Sequence, residues 1–159
     1  MAKCILITGG TGKFGRQFVR HFVKANWQVA YTTTSLSRAE QLYPQYPELR
    51  TAHGLEVNLL TDGATTTLLS CLQDQGIRVN HLVNNARSLN SLKVDENGLS
   101  GRQDMLDEYL LGVVVPYELA TGLWAIQPDE LETVTNIGSQ YGVVAANPNL
   151  YGDRRAQSP

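Results

Sequence analysis

Cysteine is scarce: Cys4 and Cys71 are the only two in 159 residues, too few for a disulfide framework. Both fall inside apolar patterns and read as buried free thiols, the usual state in a reducing cytosol, so a cytoplasmic protein is expected. An excess of one charge is also lacking. Thirteen lysines and arginines face fifteen acidic residues, giving a formal charge of −2. That balance offers no electrostatic footprint for nucleic acid or an anionic membrane as partner. No apolar run suggests a bilayer span, and MAKCILITGG lacks the long apolar core and cleavage site of a signal peptide. His21, His53 and His81 show no zinc-like spacing, so no metal is expected. What remains is an ordinary globular balance, 42% hydrophobic and 18% charged, at a length suited to one domain over residues 1–159.

The apolar pattern alternates between two periods. Lys3–Thr8 (KCILIT) reads as a strand buried on both faces and runs into glycines. Phe14, Phe18, Val19, Phe22 and Val23 then mark one face of a helix, which Asn26 can close in the left-handed conformation. Gln28–Thr33 predicts a second strand. Ser37-Arg-Ala-Glu40 forms a capping box that starts a short helix at Ser37, and Pro44 and Pro47 turn the next segment into a loop. Leu55–Leu59 reads as a third strand. A helix capped by Thr61 or Asp62 follows, ending at Gly76. Val79–Val83 is a fourth strand. The capping box Ser100-Gly-Arg-Gln103 opens a long helix to about Ile126, kinked near Pro116, and Leu131–Ile137 is a fifth strand. Strands alternating with helices, joined by right-handed crossovers, predict a doubly wound parallel α/β sheet of order 3-2-1-4-5, the Rossmann type.

The stretch Thr8-Gly-Gly-Thr-Gly-Lys-Phe-Gly15 lies between the first strand and the first helix. Gly9 permits a tight turn, Gly12 lets backbone approach a pyrophosphate, and Gly15 lets the helix pack closely. Free N–H groups at the helix start favour an anion. A spaced glycine set in this context is the signature of a nicotinamide dinucleotide site. The stretch resembles the TGxxGxxG loop of short-chain dehydrogenases/reductases. Lys13 stands where compact members carry a second glycine, so the loop is more like the extended or divergent branch.

That resemblance extends along the chain. Asn84-Asn85-Ala86 resembles the family's NNAG, with Arg87 in place of the glycine. It implies a brace for the central sheet that also lines the adenosine side of the cofactor. Asn58, beside Leu59, stands where the family places an adenine-binding Asp. Ile137 leads into Gly138-Ser139-Gln-Tyr-Gly142, which resembles the segment carrying the catalytic serine, and Ser139 matches it. The cofactor-facing set implied around the loop includes Thr8, Gly9, Thr11, Gly12, Lys13, Phe14 and Gly15. After the second strand come Thr33, Thr34 and Ser35, with Arg38 in the next helix, and no carboxylate at the strand end. Hydroxyls, a guanidinium and the nearby Lys13 suit a 2′-phosphate, which tips the expectation to NADP, with NAD as the alternative.

The family's acid/base is a Tyr in YxxxK, and this chain contains none. Tyr151 and Arg155 form a YxxxR, but Gly152 and Asp153 are poor helix formers between them. A second reading takes the segment from Asn147 to Pro159 as the loop that precedes YxxxK, so that the chain is truncated before its own Tyr and Lys. The expectation is then an NAD(P)-binding protein whose parent reaction is hydride transfer between nicotinamide and a carbonyl or alcohol, inactive alone. A non-catalytic dinucleotide sensor and a nucleotide-sugar epimerase or reductase relative are the alternatives. An uncovered fifth strand implies a homo-oligomer.

Overall fold

The computed structural model describes residues 3–88, 90, 93 and 95–139. Five parallel strands form one sheet in the order β3-β2-β1-β4-β5: β1 (Cys4–Ile7), β2 (Gln28–Thr33), β3 (His53–Glu56), β4 (His81–Asn84) and β5 (Thr133–Asn136). The expected strand order is the observed one.

The central strand explains the two layers of helices. Successive side chains of β1 point to opposite faces. Cys4 and Leu6 pack with Leu68 and Leu72 of α4 (Ala64–Asp74) and with Val115, Leu119 and Leu123 of α6 (Val115–Ile126). Ile5 and Ile7 join the other core. There they meet Val19 of α1 (Gly15–Lys24), Ala39 of α2 (Leu36–Leu42) and Leu49 of α3 (Glu48–Thr51). Burial on both faces is why β1 reads as an unbroken apolar run. Asn26, at φ 60°, and Gly76, at φ 65°, end α1 and α4 in the left-handed conformation, as the sequence predicts.

Several boundaries differ from expectation. Helix α2 begins at Leu36, capped by Ser35, whose Oγ accepts the Arg38 N–H at 3.3 Å; Ser37 is already inside the helix. The Pro44–Pro47 segment carries α3 just beyond its second proline, since proline fits the start of a helix. Strand β3 starts at His53, two residues early, because Ala30 and Thr33 of β2 pair with His53 and Glu56. Helix α4 is capped by Gly63 at φ 72°, not by Thr61 or Asp62. Gly101, not Ser100, precedes α5 (Arg102–Tyr109), with Asp104 supplying a carboxylate in its first turn. Cys4 is buried, whereas Cys71 is half-buried and accepts a hydrogen bond from Gln75.

The long helix is continuous from Arg102 to Ile126, with a π-helical turn at Leu110–Val114 joining α5 to α6. Pro116 has no N–H to offer the carbonyl four residues back, so the irregularity falls in the turn before it. By length and composition this helix could cross a membrane, against expectation, although Leu111, Val115, Leu119 and Leu123 are buried in the core. Its outward side exposes Leu106, Tyr109, Val113, Tyr117 and Trp124. All four residues of β5 are exposed, and among the described residues β5 pairs only with β4.

Candidate functional site

The chain turns sharply at the carboxyl end of β1. Gly9 adopts φ 66°, and its N–H donates to Thr32 Oγ1 at 2.9 Å, while the Gly10 N–H donates to the Thr32 carbonyl at 2.8 Å. Both bonds hold the loop over the end of β2. A Cβ on Gly10 would lie 2.4 Å from Tyr31 Cβ, and one on Gly15 would lie 2.1 Å from the Gly9 carbonyl oxygen. The glycines therefore let the loop fold flat on the sheet and let α1 start directly behind it. Gly15 meets the backbone of the loop rather than the strand itself. Phe14, expected on the buried face of α1, instead precedes the helix, two-thirds exposed, and lines a cleft.

The other wall comes from the turn after β4. Thr8 is buried, and its Oγ1 accepts the backbone N–H groups of Asn85 and Ala86, each at 2.9 Å. The Asn85 side chain answers with Nδ2 donating to the carbonyls of Thr8 at 3.0 Å and Gly9 at 3.3 Å. One hydroxyl and one amide thus tie the first and fourth strand ends together. Asn84 serves the sheet instead: its Nδ2 donates to Asn136 Oδ1 at 2.8 Å, inside the β4–β5 pair. The Ile137 N–H donates to the Asn84 carbonyl at 2.9 Å.

Between these walls lies a cleft of about 520 Å³. Twelve of the expected cofactor residues line it: Gly9, Thr11, Gly12, Lys13, Phe14, Thr33, Thr34, Arg38, Asn58, Leu59, Asn85 and Ala86. Thr8, Gly15, Ser35, Asn84 and Ile137 lie outside the lining. The lining also includes Thr32, Val57, Leu60, Arg87, Ser88 and Leu111, which the sequence reading did not place there. Val57 and Leu60 flank an expected residue, and Arg87 follows the NNA triplet, so neighbourhood alone could have found them. Leu111 comes from the start of the distant π turn and had no local signal.

Around the β2 end, Thr33 Oγ1 lies 3.1 Å from Thr11 Oγ1 and donates to the Ser35 carbonyl at 3.0 Å. Glu56 of β3 accepts the Leu36 N–H at 2.7 Å. A carboxylate therefore sits at the first N–H of α2, where it satisfies an orphan donor and the helix dipole. Arg38 stands in the same first turn and lines the cleft. Asn58 forms an Asx turn, its Oδ1 accepting the Leu60 N–H at 3.2 Å.

Ser139 is exposed and outside the cleft lining, three residues beyond Asn136. Tyr151 and Arg155 lie outside the described residues. No three His, Cys, Asp or Glu side chains gather as a metal site among the described residues. The lining suits a dinucleotide: the loop glycines Gly9 and Gly12, a helix start behind them, and polar and cationic side chains that include Lys13, Arg38 and Arg87.

The family model described as short chain dehydrogenase matches residues 3–150. A sulfoacetaldehyde reductase of Chromohalobacter salexigens is 28% identical over 144 residues, which cover 89% of this chain and 56% of that protein. The chain thus spans about half the length of that curated relative. Among solved structures, a blue fluorescent protein from a metagenomic library, in complex with NADPH, superposes with a TM-score of 0.73 at 22% identity over 96% of this chain and 63% of its own. A short chain dehydrogenase of Leptospira borgpetersenii with bound NAD+ gives a TM-score of 0.75 at 18% identity over 94% and 56%. The structures share the fold, and their bound cofactors are both forms of nicotinamide dinucleotide.

Proposed function

The chain belongs to the short chain dehydrogenase family, and from that premise we propose that residues 1–159 form one NAD(P)-binding domain that takes NADP, with NAD as the alternative. The observation that carries this reading is the glycine loop, where added side chains on Gly10 and Gly15 would collide with a side chain and with backbone. The loop and the start of α1 would hold the pyrophosphate through backbone N–H groups. Lys13, Thr34 and Arg38 would face the 2′-phosphate, with Thr33 and Ser35 fixing the turn. Asn58 and Leu59 would flank the adenine, and Asn85 and Ala86 the adenosine ribose.

A bound dinucleotide would supply the hydride when the parent reaction reduces a carbonyl and accept it when an alcohol is oxidised. The similar sulfoacetaldehyde reductase makes short aldehydes the first substrates to try. Ser139 would polarise the substrate oxygen by hydrogen bonding. No YxxxK occurs in the chain; Tyr151 with Arg155 is the candidate proton donor and partner, and we propose that this chain alone binds cofactor without turnover. The near-neutral charge and free cysteines support a cytoplasmic setting. The exposed β5 edge and apolar helix stripe support a homo-oligomer.

Fluorescence titration with NADPH and NADH, followed by NADPH oxidation in the presence of sulfoacetaldehyde and other carbonyls, tests the reading. The expected result is tighter NADPH binding and no oxidation. Tighter NADH binding removes the NADP preference, and no binding of either removes the cofactor assignment. Robust oxidation overturns the inactivity and turns attention to Tyr151 and Arg155.

A further inference from the structure

Arg87 stands where the resembling motif has glycine, and it brings a guanidinium to the wall of the cleft. Its backbone is anchored on both sides. The N–H groups of Asn85 and Ala86 are held by Thr8 Oγ1 at 2.9 Å, and the Ser88 N–H donates to Glu108 Oε2 at 3.0 Å. The other oxygen of the same carboxylate lies 3.2 Å from Arg87 Nη2. Glu108, on α5, thus fixes both the loop and the guanidinium. Arginine carries five N–H donors in a rigid fork, so donors remain beyond the one nitrogen that faces Glu108.

Place decides what those donors would meet. The Ala86 backbone lies against the glycine loop, since a Cβ on Gly9 would be 3.0 Å from Ala86 Cα. Arg87 is the next residue. In the sheet order, β1 lies between β2 and β4. Arg38 follows β2 and Arg87 follows β4, so the two guanidinium-bearing segments flank the glycine loop from opposite sides. Arg38 stands where the ribose 2′ position is expected, and Arg87 is on the far side of the loop that would hold the pyrophosphate.

We infer that Arg87, positioned by Glu108, is an additional oxyanion-binding residue of the cleft that engages the pyrophosphate of the dinucleotide and not its 2′-phosphate. The inference rests on the reading that the cleft takes a nicotinamide dinucleotide. The Arg87 side chain is 45% exposed, so its contribution is moderated by solvent.

Isothermal titration of NADPH, NADH, ADP and adenosine 2′-monophosphate into wild type and variants tests it. Arg87→Gln should weaken NADPH, NADH and ADP alike by roughly tenfold, about 1.4 kcal/mol, and leave adenosine 2′-monophosphate unchanged. Arg38→Gln should weaken NADPH and adenosine 2′-monophosphate and spare NADH and ADP. Glu108→Gln keeps an acceptor for Ser88 but loses the charge pair, and should show the Arg87 pattern in weaker form. Arg87→Lys should retain part of the ADP affinity. If Arg87→Gln changes no affinity, or weakens adenosine 2′-monophosphate as much as ADP, the inference is overturned. If wild type binds neither dinucleotide, the reading of the cleft fails first and the inference falls with it.

Discussion

Replacing Gly15 by alanine tests the steric basis of the cleft. The new Cβ would lie 2.1 Å from the Gly9 carbonyl oxygen and 2.8 Å from Gly10 Cα, far inside van der Waals contact. Both neighbours are backbone, so no rotamer change relieves the clash. The Gly9 carbonyl cannot withdraw freely, because it accepts the Gly12 N–H at 3.0 Å and the Asn85 side chain at 3.3 Å. Overpacking of this kind costs about 1–3 kcal/mol, and losing a hydrogen bond adds about 0.5–1.5 kcal/mol. Alanine's helix propensity returns at most about 1 kcal/mol at the start of α1. The net destabilisation is about 2 kcal/mol, a fall in Tm of roughly 4–8 °C for a domain of this size. NADPH binding should fall with it, since the loop that would carry the phosphate-facing N–H groups must move. Gly112→Ala is the control: a Cβ there meets nothing within 4 Å, and helix propensity predicts a gain of up to about 1 kcal/mol. Calorimetry and a fluorescence titration read both effects. A Gly15→Ala protein that melts at the wild-type temperature and binds NADPH equally well would refute the reasoning.

Thr8→Val keeps the shape but removes the acceptor shared by the Asn85 and Ala86 N–H groups; with each abandoned donor costing about 1–3 kcal/mol, urea unfolding should show a loss of at least 1 kcal/mol, and a loss within error would remove Thr8 as the tie between the walls. Burial pushes the Cys4 thiol up to about 11 from its ordinary 9.0. The folded state thus keeps a proton that the unfolded chain releases, and the stability present below pH 9 is lost as pH rises towards 11. The loss is about 1.4 kcal/mol by pH 10, before Tyr31, also raised by burial, adds its own. Cys4→Ala should flatten the urea midpoint between pH 9 and 10, and an unchanged slope would refute this assignment. Light scattering should find an oligomer, given the exposed β5 edge and the stripe from Leu106 to Trp124; a monodisperse monomer of high thermal stability would count against self-association.

What the sequence makes legible here is whatever a short stretch of chain decides for itself. The apolar run of β1 reports burial on two faces, the glycines report a tight loop, and Asn26 and Gly76 report helix ends, because each depends on local sterics and periodicity. Two of the misplaced boundaries involve partners distant in sequence, whereas the caps Gly63 and Gly101 are local. Ser37-Arg-Ala-Glu40 is a sound capping box by itself, yet Ser35 caps the helix, and the carboxylate that meets its first N–H comes from Glu56, 20 residues away on β3. Leu55–Leu59 is apolar enough for a strand, but pairing with β2 ends the ladder at Glu56 and leaves Leu59 buried in a turn beside the cleft. The cleft divides in the same way. Its glycine wall was readable, whereas Arg87 registered only as a departure from NNAG. Its guanidinium is held by Glu108, 21 positions on, which no local pattern reports. A motif identifies the groups that must be present for a fold to bind a dinucleotide. The groups that could tune that binding in this chain are substitutions within the motif, fixed by contacts the motif does not contain. Arg87, held by Glu108 from α5, is such a group.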